Sequence, residues 1–295
     1  MGDYILSCGS TADLTQEQMK KRDIRYVCFH FTLDGHEYAD DMGQSISPED
    51  LYQKMTAGAS VTTSQVSIAE YTRYFESLLQ EGKDVLHIAF SSGLSGSCNS
   101  ARLAAEDLAV QYPERNIYVV DSLGASSGYG LIMETLADLR DAGKSIEELR
   151  LWIEENKLRM HHWFFSTDLS FYIKGGRISK AAGAVGTLLN ICPLLNMDNL
   201  GKLKPREKLR GKKRVIQRIV EMMKVHAEDG LDYSGKCYIC HSMCLEDART
   251  VASLVEEQFP KLRGRVQIYP IGATIGSHTG PGTLALFFWG DLRAD

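Results

Sequence analysis

Short runs of β-branched and aromatic residues alternate with segments of helical period through the first half of the chain. That alternation is the strongest constraint on its fold. Residues 4–7, 25–33, 85–90 and 117–120 are rich in Val, Ile, Tyr or Phe and close on Ser, Gly or Asp, which reads as buried strands. Between the later runs, Ile68, Tyr71, Phe75, Leu78 and Leu79 keep a helical spacing, and Ser67 with Glu70 forms a capping box in front of them. Ser47-Pro48-Glu49-Asp50 starts another helix with Pro at its first position. Strands separated by helices pair in parallel, so the expectation is an α/β/α layer around a mostly parallel sheet.

After a further helix that begins at Ser145-Ile146-Glu147-Glu148 and runs to about Asn156, the pattern changes. Residues 161–166, 192–197, 201–209, 237–242, 266–271 and 283–289 read as strands, and 212–227 and 245–259 as helices. Neighbouring strands over 192–209 have no helix between them, which predicts a mixed sheet. The chain is therefore expected to form two α/β domains, residues 1–160 and a smaller 161–295, consistent with a length of 295 residues.

Charged residues make up 24% and hydrophobic ones 44%, as in an ordinary globular protein. A net charge of −5 argues against a nucleic-acid binder, which needs a basic surface. No run reaches the roughly 18 apolar residues of a membrane span, and MGDYILSCGS lacks a signal-peptide pattern. An odd count of seven dispersed cysteines points to free thiols and a cytoplasmic location.

Four segments could carry chemistry. Ser91-Ser92-Gly93-Leu94-Ser95-Gly96-Ser97 lies between a buried strand and a helix, where backbone N–H groups and serine hydroxyls can receive an anion. Thr62-Thr63-Ser64 places three neutral donors just before a capped helix. The glycine-rich segment from Gly272 to Gly282 surrounds His278 and reads as a loop bent around a ligand. Lys174-Gly175-Gly176-Arg177-Ile178 offers an arginine suited to carboxylate or phosphate.

Three further features need weighing. Cys237-Tyr238-Ile239-Cys240-His241 has the haem-attachment spacing, but strand alternation sends the two cysteines to opposite faces, so neither haem nor a metal is expected. Every second residue from Lys202 to Lys212 is basic, which suits either a solvated edge strand or a docking face for an acidic partner or anionic membrane. Ser95, His278 and Asp121 could be imagined as a hydrolase triad, although Gly93-Leu94-Ser95-Gly96 is not a full nucleophile elbow.

Thr63-Ser64-Gln65-x-Ser67, Ser92-Gly93-Leu94-Ser95-Gly96-Ser97, Asp121-Ser122, Gly175-Gly176-Arg177-Ile178 and Gly276-Ser277-His278-x-Gly280-Pro281-Gly282 occur in one order along nearly the whole chain. In this the sequence resembles the DegV family of fatty-acid-binding proteins. It departs from the family at Val66, where Pro is frequent, and at Ser97-Cys98, where Thr-Tyr is common. The resemblance implies one long-chain fatty acid held between the two domains, with no cofactor, no catalytic residue and no metal. It also implies a kinase partner, a fatty acid kinase subunit that converts the presented carboxylate to an acyl phosphate. On the same grounds Thr63 and Ser95 would bond the carboxylate, His278 would stand beside it, and Arg177 would lie near the domain interface. Thr62, Ser64, Ser92, Gly93 and Gly96 complete the expected ligand-binding set. A membrane surface is a further expected contact. The rival expectation is a serine hydrolase of acyl esters.

Overall fold

The computed structural model of the protein describes residues 4–179 and 191–294. The chain opens with β1 (Tyr4–Gly9), α1 (Gln16–Lys21) behind a Thr15–Gln18 capping box, and β2 (Ile24–Val27). It then leaves the first sheet. β3 (His30–Leu33) and β4 (His36–Ala39) form a hairpin over Asp34-Gly35, both at positive φ as a two-residue hairpin turn requires. α2 (Pro48–Thr56) begins behind Ser47 as expected, and β5 (Val61–Ser64) returns to pair antiparallel with β3. α3 (Ile68–Leu79) starts at the Ser67–Glu70 capping box, and β6 (Asp84–Ala89), α4 (Ser97–Gln111), β7 (Ile117–Asp121), α5 (Ser126–Asp141) and α6 (Ile146–Asn156) follow. The first sheet has the order β2-β1-β6-β7 and every pairing is parallel.

One local expectation is corrected here. The run 25–33 is not one strand. It breaks after Val27, with β2 in the parallel sheet and β3 in the small antiparallel sheet β4-β3-β5. An apolar run carries no record of which neighbours it will pair with. The Thr-Thr-Ser segment, expected just before the capped helix, lies in a strand, in keeping with the β preference of Val and Thr.

The second half contains β8 (Met160–Ser166), α7 (Ser170–Lys174), β9 (Ile191–Met197), β10 (Leu203–Arg210), α8 (Lys212–His226), β11 (Tyr238–His241), α9 (Leu245–Gln258), β12 (Gln267–Pro270), α10 (Ala273–Thr279) and β13 (Thr283–Trp289). The sheet is mixed, in the order β10-β9-β8-β13-β11-β12, with β11 and β12 parallel and the other pairs antiparallel. β10 is an edge strand with Lys204, Arg206, Lys208 and Arg210 all exposed, as the alternation predicts.

The glycine-rich segment that reads as a loop contains α10. Its composition gives poor helix propensity, so tertiary contacts make the helix. Asp40 accepts the Thr274 N–H at 3.1 Å across 234 residues of sequence, and Gly276 packs so closely on the Tyr52 hydroxyl that a Cβ would overlap it. The tight backbone follows the helix, where Gly280 and Gly282 have φ of 68° and 84°.

α5 joins the halves. Its surface is buried nearly all round, which hides it from a search for an amphipathic stripe. Gly128 meets Phe287 and His162 on one side, while Gly130 meets Ala12 and Leu14 on the other.

In β6, His87 is fully buried, with Nδ1 2.9 Å from the Ser7 hydroxyl and its ring edge-on to Tyr71 and Phe75. Burial pushes its pKa down to about 3. The unfolded chain takes up this proton below about pH 6.5, so between those values the unfolded state binds more protons. The His87 contribution to stability is therefore complete above pH 6.5 and is lost as pH falls toward 3. His87→Phe is expected to reduce the loss of unfolding free energy between pH 7 and pH 4 by about 3 kcal/mol in denaturant titrations. Parallel pH profiles for the two proteins would count against this assignment.

Candidate functional site

A cavity of about 490 Å³ lies between the halves. From the first half it is lined by Phe29, Phe90, Leu94, Ala125 and the segments 63–65 and 95–96, and from the second by residues of β8, β9, β11, α10 and β13. Phe164, Ala285 and Cys240 come from three adjacent strands in register, so they form one rung of an apolar floor. Phe287 and His162 form the next rung but one along the same strands. His162 brings no free polar group to this floor. Its Nδ1–H donates to the Met160 carbonyl at 3.0 Å and its Nε2 accepts the Ala125 N–H at 3.2 Å.

Thr63, Ser95, Arg177 and His278 are all in the cavity lining. β5 presents Thr63, and α10 presents His278 one bond away: Thr63 Oγ1 and His278 Nε2 are 2.7 Å apart. Burial and the Arg177 charge lower the His278 pKa to about 4, so the ring is neutral at pH 7. Its Nδ1 is buried without a partner against Gly175, where a Cβ would overlap it. A proton on Nδ1 would be stranded there, so the geometry assigns it to Nε2, which donates to Thr63 Oγ1. The Thr63 hydrogen is then free for an incoming acceptor.

Ser95 stands at the head of α4, a helix of 15 residues without a side-chain cap at Gly96, and its hydroxyl accepts the Ser97 N–H at 3.2 Å. The partial positive charge of that helix end adds to the donors facing the cavity. Arg177 Nη1 donates to the Gly175 carbonyl at 2.5 Å, and burial lowers its pKa. Arg177 lines the main cavity and also two adjoining clefts, one with Lys174 and Thr62 and one with Lys202, Lys204 and Gly93.

The structure thus brings together Thr63, Ser64, Ser95, Gly96, Arg177 and His278. Thr62 and Gly93 line the adjoining clefts instead, and Ser92 is exposed with its N–H bonded to Asp121. Gly93 is needed for a different reason, since a Cβ there would come within 2.6 Å of the Leu200 carbonyl oxygen. Sequence reasoning missed Gln65, Ser126, Cys240 and the aromatic walls. The strands that carry Phe164 and Phe287 are buried at every position, so no alternation in them marks a cavity face.

No Ser-His-Asp triad is assembled. His278 bonds Thr63, its Nδ1 has no carboxylate, and Asp121 instead accepts the N–H groups of Ser92 and Leu123. Cys240 lines the cavity and Cys237 does not, in keeping with opposite strand faces, and all seven cysteines are free. Among the described residues, one group of three ligand-type side chains converges elsewhere: His161, His226 and Asp291. His161 Nε2 faces two acceptors, Asp291 Oδ1 at 2.9 Å and the Asp291 carbonyl at 3.0 Å, so it carries the proton. With Nδ1 buried and unpartnered, that proton has no second position, and the group is a hydrogen-bond clamp.

A largely apolar cavity between two α/β units, with hydroxyl, imidazole and guanidinium groups in its lining, has the chemistry of a site for an amphipathic small molecule. A family model described as "Uncharacterised protein, DegV family" matches residues 8–291. The chain belongs to the DegV family. It is 36% identical over 293 residues to a DegV domain-containing protein of Clostridium perfringens, covering 99% of each chain. Its fold is similar to that of a DegV family protein from Thermus thermophilus described by its fatty acid binding, with a TM-score of 0.85, 29% identity, and 98% and 99% of the two chains covered. It is similar also to DegV of Bacillus subtilis, described as a fatty acid binding protein, with a TM-score of 0.83, 26% identity, and 99% and 100% covered. No helix among the described residues is long and apolar enough to cross a membrane.

Proposed function

We propose that this protein binds one long-chain fatty acid between its two domains, residues 1–160 and 161–295, and presents the carboxylate to a fatty acid kinase for acyl-phosphate formation. The observation that carries the reading is the 490 Å³ apolar cavity with Thr63, Ser95, His278 and Arg177 in its lining. Each buried methylene is worth about 0.8 kcal/mol, so a 16-carbon tail offers on the order of 10 kcal/mol before ordering costs. A carboxylate leaving water needs several donors in exchange. Here they are the Thr63 and Ser95 hydroxyls and the amides at the start of α4, with a neutral His278 fixing the Thr63 rotor. The solved relatives described as fatty-acid-binding support the same ligand class.

Presentation to a kinase requires the carboxylate to lie where a partner can reach it. Arg177 borders both the cavity and two surface clefts, one of them lined also by exposed Lys202, for which no ion pair forms among the described residues, and this basic rim favours an acidic partner surface. Native mass spectrometry of gently purified protein, followed by lipid extraction, is expected to show one fatty acid per chain. A chain that stays empty after incubation with C14–C20 acids would refute the reading.

A further inference from the structure

The 121–126 connection between β7 and α5 is held in an unfavourable conformation. Leu123 and Ser126 both have positive φ, 48° and 53°, although each carries a side chain. Such residues cost about 1–2 kcal/mol apiece and persist only where their surroundings hold them. The same connection supports the serine loop. Ser91 N–H donates to the Gly124 carbonyl at 3.1 Å, Ser92 N–H to Asp121 Oδ1 at 3.2 Å, and Ser95 N–H to the Ser91 carbonyl at 3.2 Å.

One cation reaches this connection from the far end of the chain. Arg293 Nη2 donates to the Leu123 carbonyl at 2.9 Å, while the Arg293 backbone is pinned by its N–H to the Leu158 carbonyl, also at 2.9 Å. Arg293 is 5% exposed, and its Nε and Nη1 have no acceptor. Burying a guanidinium is costly, and the buried Asp198 carboxylate offsets part of that cost as a countercharge without accepting a hydrogen bond from it. The bond fixes the peptide plane between Leu123 and Gly124, and the Gly124 carbonyl is the one that receives Ser91.

We propose that Arg293 is a positioning residue for the carboxylate site: it holds the 121–126 connection in its left-handed form and thereby sets the 91–96 loop that carries Ser95. The inference rests on the fatty-acid reading above. It makes head-group recognition by the first half depend on a residue of the second.

The test compares binding of hexadecanoic acid and hexadecan-1-ol, because a general packing defect weakens both alike. Arg293→Ala is expected to lower affinity for the acid about tenfold, the worth of one charged hydrogen bond, while affinity for the alcohol changes little. Arg293→Lys, which keeps a cation, should recover part of the loss and remains informative if the alanine variant folds poorly. Leu123→Gly removes the conformational penalty, so adding it to Arg293→Ala should restore acid selectivity. Equal losses for acid and alcohol would overturn the positioning role, as would selectivity unchanged from wild type. Equal affinities of the wild-type protein for the two ligands would instead sink the head-group reading itself.

Discussion

Thr63→Val combined with Ser95→Ala is expected to weaken binding of a long-chain fatty acid by about a hundredfold or more while the thermal unfolding midpoint stays close to wild type. Each hydroxyl bonded to a charged group is worth about 1.5–3 kcal/mol, and 1.4 kcal/mol is a factor of ten. The two side chains lie on different elements, β5 and the turn before α4, so losing one does not remove the other. His278 stays neutral in the double variant, because burial and Arg177 set its pKa. The cavity itself stays apolar, so a neutral alcohol of the same length should lose much less. Titration calorimetry with both ligands checks this. Wild-type affinity for the acid in the double variant would place the carboxylate somewhere else on the wall.

Arg177→Ala should divide binding from presentation. The guanidinium is half-buried, and among the described residues Nη1 bonds the Gly175 carbonyl. Arg177 lines the cavity and both clefts, and in the reading proposed above its planar fork would meet the phosphoryl group there. An arginine that stabilises transferring phosphoryl charge contributes on the order of 10³-fold to the rate. Reconstitution with a cognate fatty acid kinase is therefore expected to show acyl-phosphate formation reduced on that scale, with fatty-acid affinity changed less than tenfold. Wild-type turnover by this variant would refute the presenting role of Arg177.

Local chemistry made much of this molecule legible. The Ser67–Glu70 and Ser145–Glu148 capping boxes start α3 and α6 where sequence places them, since a cap is decided within four residues. Alternation in β10 foretells its exposed basic face because a strand's two faces differ by one residue. The motifs carrying Thr63, Ser95, Arg177 and His278 were each visible, and all four reach one cavity.

What sequence could not decide is everything set by distant partners. The break of 25–33 into two sheets depends on which strands β2 and β3 meet, and their side chains suit either pairing. α10 forms from a glycine-rich segment because Asp40 and Tyr52 are there to receive it. α5 shows no stripe because both of its sides are buried. The separation of Thr63 from Thr62, and of Ser95 from Ser92, likewise follows from register and turn geometry that their shared hydroxyl chemistry does not reveal. The sequence by itself determined which elements form and which donors are at hand. Only the tertiary structure decided which of those donors face a common apolar cavity, because that depends on contacts such as the Asp40–Thr274 bond, between residues 234 positions apart.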